Sequence, residues 1–566
     1  MRESWIIELF SLLYVILVAL LVVGAYTSFS GVSVEQVWLT TSDGVQLNAK
    51  VYKQTSTSET LPGVIVCHGL SSSLEMMQSA YSLEFAKRGF LVVAIDLRGH
   101  GSSGGSIGGV YSSMNREATN RSMFEELMFS FFNETELEAD VKAAVDYLLG
   151  RSDVVHDKVA VLGHSMGGAA VLSEGYSDLR VRSVVAIAPA LSPLVEMNLT
   201  SPRNLLLAVG ARDNIVREES ILRLFRKTTG GGEEIGKLYG NFSEGNARKM
   251  IVSPGTDHVG EMLDTYIAKE AIAWVEASLG VSPLPIALSP WINLILPLSV
   301  SAAILSAFPA VLLMKLFGQN VGEGKPHTKP LSTSMKTKKL LLIYLGAWGI
   351  SGVLSLRFDF LLSRLVPIMF ADMFIENYIT FSIIILSTAV LLWGTDQELR
   401  LNLGSKITIV ESAILSVLGF LVVFSALNIT FDRVFINLYP SARRLLMIGQ
   451  LFFLLLPPSL MDEILIRNFQ NRLSLKPWQR IGATSILSLS LKLLILAFAS
   501  FIFGAFIGLA AALLFIPALC SAWLFENSGS IAGGTIFSSL FMAWIMAAIL
   551  PFVHGYLGFT SLSGLF

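Results

Sequence analysis

Residues 159–170 have the sequence Val-Ala-Val-Leu-Gly-His-Ser-Met-Gly-Gly-Ala-Ala, which gives the strongest indication of how the first half of this chain folds. An apolar run typical of a buried strand leads into Gly-x-Ser-x-Gly, and small residues that can begin a helix follow it. Such a strand, turn and helix hold one serine in a strained turn that tolerates only small neighbours, here Gly163 and Gly167. Ser165 is therefore the candidate nucleophile.

Three other apolar runs end in residues that a nucleophilic serine needs. In each case the residue follows a predicted strand: Leu70 after 63–69, Asp213 after 204–212, and His258 after 249–257. The carboxyl ends of parallel strands meet at one edge of a sheet, where side chains from separate strands can converge. The chain order Ser165, Asp213, His258 therefore predicts a catalytic triad, and a backbone N–H beyond His68-Gly69 could point into the same cleft.

These motifs resemble the α/β-hydrolase superfamily. The resemblance extends over residues 34–279 and includes His68-Gly69, the Asp-Leu-Arg-Gly-His-Gly-Ser segment at 96–102, and the Gly-His-Ser-Met-Gly-Gly segment at 163–168. It implies a mostly parallel sheet flanked by helices. Because the nucleophile is serine, the domain is most similar to serine esterases, monoacylglycerol lipases and serine aminopeptidases; haloalkane dehalogenases and most epoxide hydrolases carry aspartate there, and dienelactone hydrolases carry cysteine.

The residue types predict acyl transfer. A serine hydroxyl is a poor nucleophile until a base takes its proton, and His258 is placed to do so, with Asp213 orienting the imidazole. The backbone N–H groups of Leu70 and Met166 are expected to form the oxyanion hole, with Ser71 replacing Leu70 if the loop is tighter. We expect neither a metal nor a cofactor, because the sequence has no phosphate-cradling glycine loop and no Cys/His metal spacing.

Several polar residues near these motifs have other possible roles. Asp213 could instead cap a helix or form a turn, the common role of an aspartate after a strand. Asp257 is a rival for orienting His258, although it directly precedes that histidine. We interpret the remaining histidines of these segments as structural residues that bond loop backbone, namely His68, His100 and His164.

The composition indicates that much of the chain contacts lipid. Of 566 residues, 53% are hydrophobic and only 15% are charged. We predict three parts: an N-terminal signal anchor at 1–30, an α/β-hydrolase domain at 31–283, and an all-helical multi-pass transmembrane domain at 284–566. The apolar run at 6–24 is longer than the core of a cleaved signal peptide, and cleavage near Ala25 is the alternative.

The last part contains eight candidate spans. They are 291–317, 340–356, 378–393, 407–429, 445–460, 481–500, 501–524 and 531–553. The division at Ser500 has no polar loop, so one long tilted helix is the alternative there.

Charge predicts the orientation of the spans. The loop at 318–339 contains five lysines and one glutamate, which places it in the cytoplasm and the α/β domain outside. Arg443 and Arg444 fall on the outer side and oppose this assignment. Five glycosylation sequons also fall on the predicted outer side: Asn120, Asn133, Asn198, Asn241 and Asn428.

Two further segments are unusual. Residues 104–132 form a Gly/Ser-rich insertion that ends in an apolar cluster, which predicts a lid or a membrane-facing patch. Residues 461–473 resemble the Glu-Glu-x-x-x-Arg motif of the CAAX-protease and bacteriocin-processing family of intramembrane metalloproteases. Lys492 and Ser538 replace the histidines that this resemblance implies, so the scaffold is a degenerate one.

A purely structural interpretation of the same segment is an ion pair between Glu463 and Arg467, one helical turn apart. Lys492 within a span needs a partner, and Glu411 or Glu463 could supply it. A small polar pocket for a substrate or lipid headgroup is the other interpretation.

The sequence thus predicts a membrane-tethered serine hydrolase of carboxylic esters, with lipid-derived esters as one class of substrate. A serine peptidase acting on small peptides or amides is the alternative within enzymes. A transporter or scaffold with a vestigial hydrolase domain is the alternative from another class. A net charge of −2 and the lack of a basic aromatic surface argue against nucleic acid as a partner.

Overall fold

The computed structural model describes residues 4–55, 59–108, 134–190, 197–318, 337–355, 366–368, 371–392, 406–431, 436–499 and 507–554. Most of the predicted insertion at 104–132 lies outside these residues, as do Asn120, Asn133 and most of the lysine-rich loop at 318–339.

An eight-stranded sheet organises the first half of the chain. The strands of the structure are β1 (Val32–Thr40), β2 (Gln46–Gln54), β3 (Leu61–Cys67), β4 (Leu91–Ile95), β5 (Ile107–Gly108), β6 (Val154–His164), β7 (Ser183–Ile187), β8 (Leu205–Gly210), β9 (Arg248–Ser253) and β10 (Val553–His554). The sheet has the order β1-β2-β4-β3-β6-β7-β8-β9. It is antiparallel from β1 to β4 and parallel from β4 to β9, so the predicted mostly parallel sheet is confirmed.

The sequence explains the two kinds of strand. Every residue of β4, β7 and β8 is buried, as continuous apolar runs between two helical layers require. The β1–β2 pair is a hairpin, and Thr41 N donates to Val45 O across its turn at 3.0 Å. A helix precedes the sheet and five flank it: α1 (Ser4–Phe29), α2 (Leu83–Lys87), α3 (Glu134–Leu149), α4 (Met166–Ser177), α5 (Glu218–Thr229) and α6 (Thr265–Ser278). We call the part from β1 to α6 the sheet domain.

The second half is helical. Its helices are α7 (Ile292–Leu305), α8 (Ala307–Gly318), α9 (Thr337–Ser355), α10 (Ala371–Leu391), α11 (Lys406–Phe431), α12 (Ala442–Arg472), α13 (Pro477–Ala499), α14 (Ile507–Ser528) and α15 (Ile531–Ile549). Together with α1 we call them the helical domain. Within the described residues each predicted span overlaps a helix, although the span at 291–317 is divided into α7 and α8 and that at 531–553 runs beyond the end of α15. Helices α13 and α14 pack on each other, as two separate spans do.

Seven segments of the described chain are long and apolar enough to cross a membrane, and α1 is one of them. Helices α9 and α13, which we also predicted as spans, are helical but are not among the seven. Helix α1 packs on other helices of this domain, and Tyr14 OH donates to Ala426 O in α11 at 3.0 Å. The anchor is therefore part of the same helical assembly.

The helical domain contacts the carboxyl edge of the sheet. Strand β10 pairs with β5 in parallel, and Ile107 N donates to Phe552 O at 2.8 Å. Asn437 N, between α11 and α12, donates to Ser73 Oγ at 3.3 Å. Because Ser73 follows β3 and residue 107 lies in the connection after β4, the two loops at this edge both lie against the helical domain.

Arg444 makes the most extensive contact of this interface. Its guanidinium donates to Gly101 O at 2.9 Å, to Gly99 O at 3.0 Å and to Leu550 O at 3.1 Å, and also to Ala547 O. The Arg443 guanidinium lies 3.7 Å from the centroid of the Phe552 ring. The same guanidinium also donates to Gly105 O, so the two arginines that opposed the charge-based orientation both bind the sheet domain.

The basic residues at the far end of α12 lie on the opposite side. Helix α12 has 31 residues, which corresponds to about 46 Å if it is straight, and it ends at Arg472. The start of α12 contacts the sheet domain, so Arg472 and the following Lys476 face away from it. Of the sequons within the described chain, Asn198 and Asn241 are exposed, whereas Asn428 is buried in α11 and does not fit a glycosylation acceptor.

The polar residues within the helical domain pair with one another. Lys492 Nζ lies 3.0 Å from Asp462 Oδ2. The predicted partners, Glu411 and Glu463, are therefore both wrong, although Asp462 directly precedes Glu463. The expected Glu463–Arg467 pair is present, with Oε2 and Nε 2.8 Å apart.

These contacts do not fit a metalloprotease site. An ammonium bound to Asp462 stands where the resemblance implies an imidazole, and Ser538 Oγ hydrogen-bonds Ser521 Oγ at 3.1 Å. Neither side chain supplies the imidazole nitrogen that a zinc ion would take as a ligand.

We expect Arg444→Met to destabilise the protein by about 3 kcal/mol or more, because it removes the guanidinium hydrogen bonds to carbonyl groups of both domains, among them that of the buried residue Ala547. Arg443→Met is the matched control, since Arg443 is largely exposed and should cost much less. Thermal unfolding of the detergent-solubilised variants measures both changes. Equal midpoints for Arg444→Met and wild type would show that this interface contributes no stability.

Candidate active site

The turn that carries Ser165 joins β6 to α4. Ser165 has φ +53° and ψ −116°, a strained conformation for a residue other than glycine. Its N–H donates to Ile187 O at 2.9 Å, which ties the turn to the neighbouring strand. A Cβ on Gly163 would collide with Gly167 O, and one on Gly167 would collide with His68 O. The two glycines are therefore required by close backbone approach, as predicted.

Ser165, His258 and Asp213 lie together in the structure. His258 Nε2 is 3.0 Å from Ser165 Oγ, and His258 Nδ1 is 2.7 Å from Asp213 Oδ2. Each side chain follows a different parallel strand, β6, β8 or β9, so the carboxyl edge of the sheet brings them together. The three residues are only 6–7% exposed, so this chain of hydrogen bonds is shielded from water.

The two roles considered for Asp213 coexist. Its Oδ1 accepts from Ile215 N and from Val216 N, each at 2.8 Å, which is the turn role. Its Oδ2 remains available to His258 Nδ1. The rival Asp257 instead accepts from Gly260 N at 2.8 Å, so its carboxylate caps the next turn.

The loop after β3 lies directly against the serine turn. A Cβ on Gly69 would come within 3.1 Å of Ser165 Cβ and 3.0 Å of His164 Nδ1. Leu70, the next residue, is half-buried beside the site, and Met166 is the first residue of α4. Both residues predicted for the oxyanion hole therefore neighbour Ser165 along the chain or in space.

His68 and His100 have the structural role expected of them. Leu97 N donates to His68 Nε2 at 3.0 Å, and His68 Nδ1 lies 2.6 Å from Gly69 O. His100 Nδ1 lies 3.0 Å from Arg98 O. Burial lowers the pKa of His68 to about 4 and that of His100 well below its usual range, so both rings are neutral at physiological pH.

His164 differs from the expectation in its hydrogen-bond partner. Its Nε2 lies 3.1 Å from Glu261 Oε2, a carboxyl group rather than loop backbone. Burial, followed by the neighbouring His258, lowers the pKa of His164 well below its usual range.

Glu261 is the residue of this site that sequence reasoning missed. It is fully buried, its Oε1 accepts from Gly210 N at 2.5 Å, and its Oε2 is 3.8 Å from His258 Nδ1. Burial and then the Asp213 charge raise the pKa of Glu261 well above its usual range. Its spacing three residues after His258 was the available signal, because one turn of helix would return it to the histidine.

The same cluster contains the potential metal ligands of the described residues. His164, His258 and Glu261 each offer a ligand atom, and these atoms lie within 4.8 Å of one another. His258 already contacts Ser165 and Asp213 through its two nitrogens, so a metal ion bound there would compete with the hydrogen bonds of the triad.

The loop after β4 is held by buried charges. Asp96 accepts from Leu74 N at 2.9 Å and from Ser102 N at 3.0 Å, which joins it to the loop after β3. Burial and the neighbouring Glu75 raise the pKa of Asp96 to about 6. The Arg98 guanidinium lies 2.7 Å from Asp43 and 2.8 Å from Asp140. The edge that surrounds Ser165 is therefore a connected polar scaffold.

Comparison with known proteins agrees with this geometry. Residues 59–218 match the family model described as serine aminopeptidase, S33. The sheet domain has the α/β-hydrolase fold. The match includes Ser165 and Asp213 and ends before His258, which the structure places beside both of them.

Curated relatives match only part of this α/β hydrolase. The quorum-quenching protein AidA of Acinetobacter baumannii is 26% identical over 148 residues, which is 26% of this chain and 41% of that protein. An uncharacterized 31.7 kDa protein of Escherichia coli is 22% identical over 125 residues, 22% of this chain and 36% of that protein. The matches thus span about two fifths of either relative.

Solved structures similar to the α/β hydrolase include two esterases. One is an esterase of Pyrococcus furiosus, with 20% identity, 44% of this chain and 91% of that chain covered, and a TM-score of 0.29. The other is an acetyl xylan esterase from Paenibacillus sp. R4, with 16% identity, coverage of 44% and 84%, and a TM-score of 0.32.

Proposed function

We propose that this protein is a membrane-tethered serine hydrolase that cleaves carboxylic esters. The observation that carries the proposal is the unbroken chain of hydrogen bonds from Ser165 Oγ through both nitrogens of His258 to Asp213 Oδ2. A serine, a histidine and an aspartate so arranged are the requirements for acyl transfer.

The geometry supports the following steps. As Ser165 Oγ attacks the ester carbonyl carbon, His258 Nε2 takes the hydroxyl proton, and Asp213 stabilises the resulting imidazolium. The developing oxyanion accepts hydrogen bonds from the N–H groups of Leu70 and Met166. His258 then returns the proton to the departing alkoxide, which leaves an acyl group on Ser165. Attack by water, with His258 again as the base, releases the acid.

The substrate we propose is an ester that resides in the bilayer. The helical domain contacts the loops after β3 and β4 through Asn437 and Arg444, at the same sheet edge that holds the triad. One apolar cluster also runs from the sheet domain into the helical domain without interruption. The continuous apolar packing of the two domains supports an ester with an acyl chain as the substrate.

Hydrolysis of small peptides or amides is the second candidate. It is favoured by the match to the family described as serine aminopeptidase, S33. The same triad serves both reactions, because ester and amide carbonyls form similar tetrahedral intermediates. A panel of ester and aminoacyl substrates distinguishes the two.

The triad is tested by alanine substitution. We expect Ser165→Ala and His258→Ala each to lower ester turnover by about 1,000-fold or more, and the double variant to fall no further, since the two residues act as a unit. Asp213→Asn should cost less than either. A fluorophosphonate probe should label the wild type and not Ser165→Ala. If Ser165→Ala keeps wild-type turnover, or the wild type neither reacts with the probe nor cleaves any substrate, the proposal fails and a scaffold role gains support.

A comparison of a bilayer-dissolved ester with a water-soluble ester tests the proposed substrate class. We expect the full-length protein in liposomes to hydrolyse a long-chain ester dissolved in the bilayer at least about 10-fold faster, per active site, than a short soluble ester of the same alcohol. The same ratio measured in detergent micelles is the control for chain-length preference alone. A ratio below one in both settings would argue against a bilayer substrate.

The orientation is also a proposal. We place the sheet domain outside the cytoplasm, because Lys338, Lys339, Arg472 and Lys476 lie at helix ends away from it. Protease added to intact cells should digest the sheet domain and spare a tag inserted at 326–328. Digestion of that tag with protection of the sheet domain would invert the topology. Permeabilised cells, in which both should be cut, provide the control.

A further inference from the structure

The carboxyl group of Glu261 lies between the two histidines of the site. Its Oε2 is 3.1 Å from His164 Nε2 and 3.8 Å from His258 Nδ1, and its Oε1 accepts from Gly210 N at 2.5 Å. Glu261 is fully buried in the short helical turn Gly260–Leu263, which directly follows His258. A carboxyl group in this position acts on the triad according to its charge.

The surroundings of Glu261 disfavour a second negative charge. The titratable side chains that face it from the neighbouring elements are Asp213, Asp257, His164, His258 and Tyr81. No positive charge comes from His164, because burial keeps that ring neutral. Two carboxylates in one water-poor site repel each other, so one of them takes up a proton. Burial and the Asp213 charge favour the proton on Glu261.

The hydrogen bonds agree with a protonated Glu261. Asp213 Oδ2 and Glu261 Oε2 lie 2.7 Å and 3.8 Å from the same nitrogen, His258 Nδ1, so two buried carboxyl groups share this site, and a hydrogen bond between them requires that one of them hold a proton. Asp213 has other donors, Ile215 N and Val216 N, which favour its ionised form. Because Gly210 N occupies Glu261 Oε1, Oε2 is the oxygen left to carry the proton.

We propose that Glu261 is a positioning residue of the triad, held as a neutral carboxylic acid whose Oε2–H donates a hydrogen bond to Asp213. This proposal rests on the proposed mechanism of Ser165. The donated bond disperses the charge of the Asp213 carboxylate, which limits how strongly that carboxylate stabilises the His258 imidazolium. Without that bond, Asp213 would hold the imidazolium more strongly, and the acidic limb of the pH profile of kcat/KM would move to higher pH.

Glu261→Gln is the first test, because glutamine keeps the shape, a donor for Asp213 and an acceptor for Gly210 N. We expect the kcat/KM of this variant to lie within about 3-fold of the wild-type value at pH 7, and the acidic limb of its pH profile to lie within about 0.3 pH unit of the wild-type limb. If Glu261 is instead ionised in the wild type, removing a charge 3.8 Å from His258 Nδ1 moves that limb down by about one unit or more, which overturns the proposal.

Glu261→Ala separates a positioning role from a merely structural one. Loss of the donor to Asp213 should move the acidic limb of the pH profile of kcat/KM to higher pH by about 0.5 pH unit, and should lower kcat/KM at pH 7 about 10-fold. An unchanged limb in folded Glu261→Ala shows a structural role and overturns the proposal. Glu270→Ala is the matched control, because Glu270 pairs with Lys249 on the outside of the sheet domain and its loss should leave the limb unchanged.

Infrared difference spectra test the proton itself and do not depend on the alanine variant. Wild type minus Glu261→Gln at pH 7 should show the carbonyl stretch of a protonated carboxylic acid, and its absence overturns the proposal. Rates are normalised to active sites titrated with a fluorophosphonate. Failure of the proposed function is recognised separately, because then the wild type is unlabelled or Ser165→Ala retains turnover.

Discussion

The strained backbone at Ser165 is the constraint on which the site depends. A side-chain-bearing residue at φ +53° is tolerated only if its surroundings hold it there. The Ser165 N–H bond to Ile187 O does so from one side, and the backbone of His68 and Gly69 packs against the turn from the other. This packing leaves room for glycine alone at 163 and 167, and it sets Ser165 Oγ at the edge where β8 and β9 also end.

Burial of charge at that edge is the second determinant. Asp213 accepts two backbone N–H bonds as well as the bond from His258, so its carboxylate is stabilised away from water. The neighbouring titratable groups are neutral: burial lowers the pKa of His68 and His164 and raises that of Glu261. With Glu261 neutral, as we propose, Asp213 provides a single negative charge beside the His258 imidazole.

The helical domain contributes to the same edge. Arg444 crosses from the start of α12 to the carbonyls of Gly99 and Gly101, which flank His100, and the His100 ring lies 5.1 Å from that of His68. His68 in turn contacts Gly69, which packs on the serine turn. The domain that is apolar enough to lie in a membrane therefore supports the loops around Ser165, and does more than attach them to a bilayer.

The sequence by itself determined the strands, the serine turn and most of the helices, because these depend on local features: apolar runs, glycines at a tight turn and uncharged stretches of about 20 residues. It also indicated Ser165, Asp213 and His258, since the carboxyl ends of parallel strands must meet. Only the tertiary structure decided which groups pair across the fold. It gave Lys492 to Asp462, His164 to Glu261, and Arg444 to the loop after β4. Such pairings join residues up to 345 positions apart, and chain spacing carries no signal for contacts that packing alone creates.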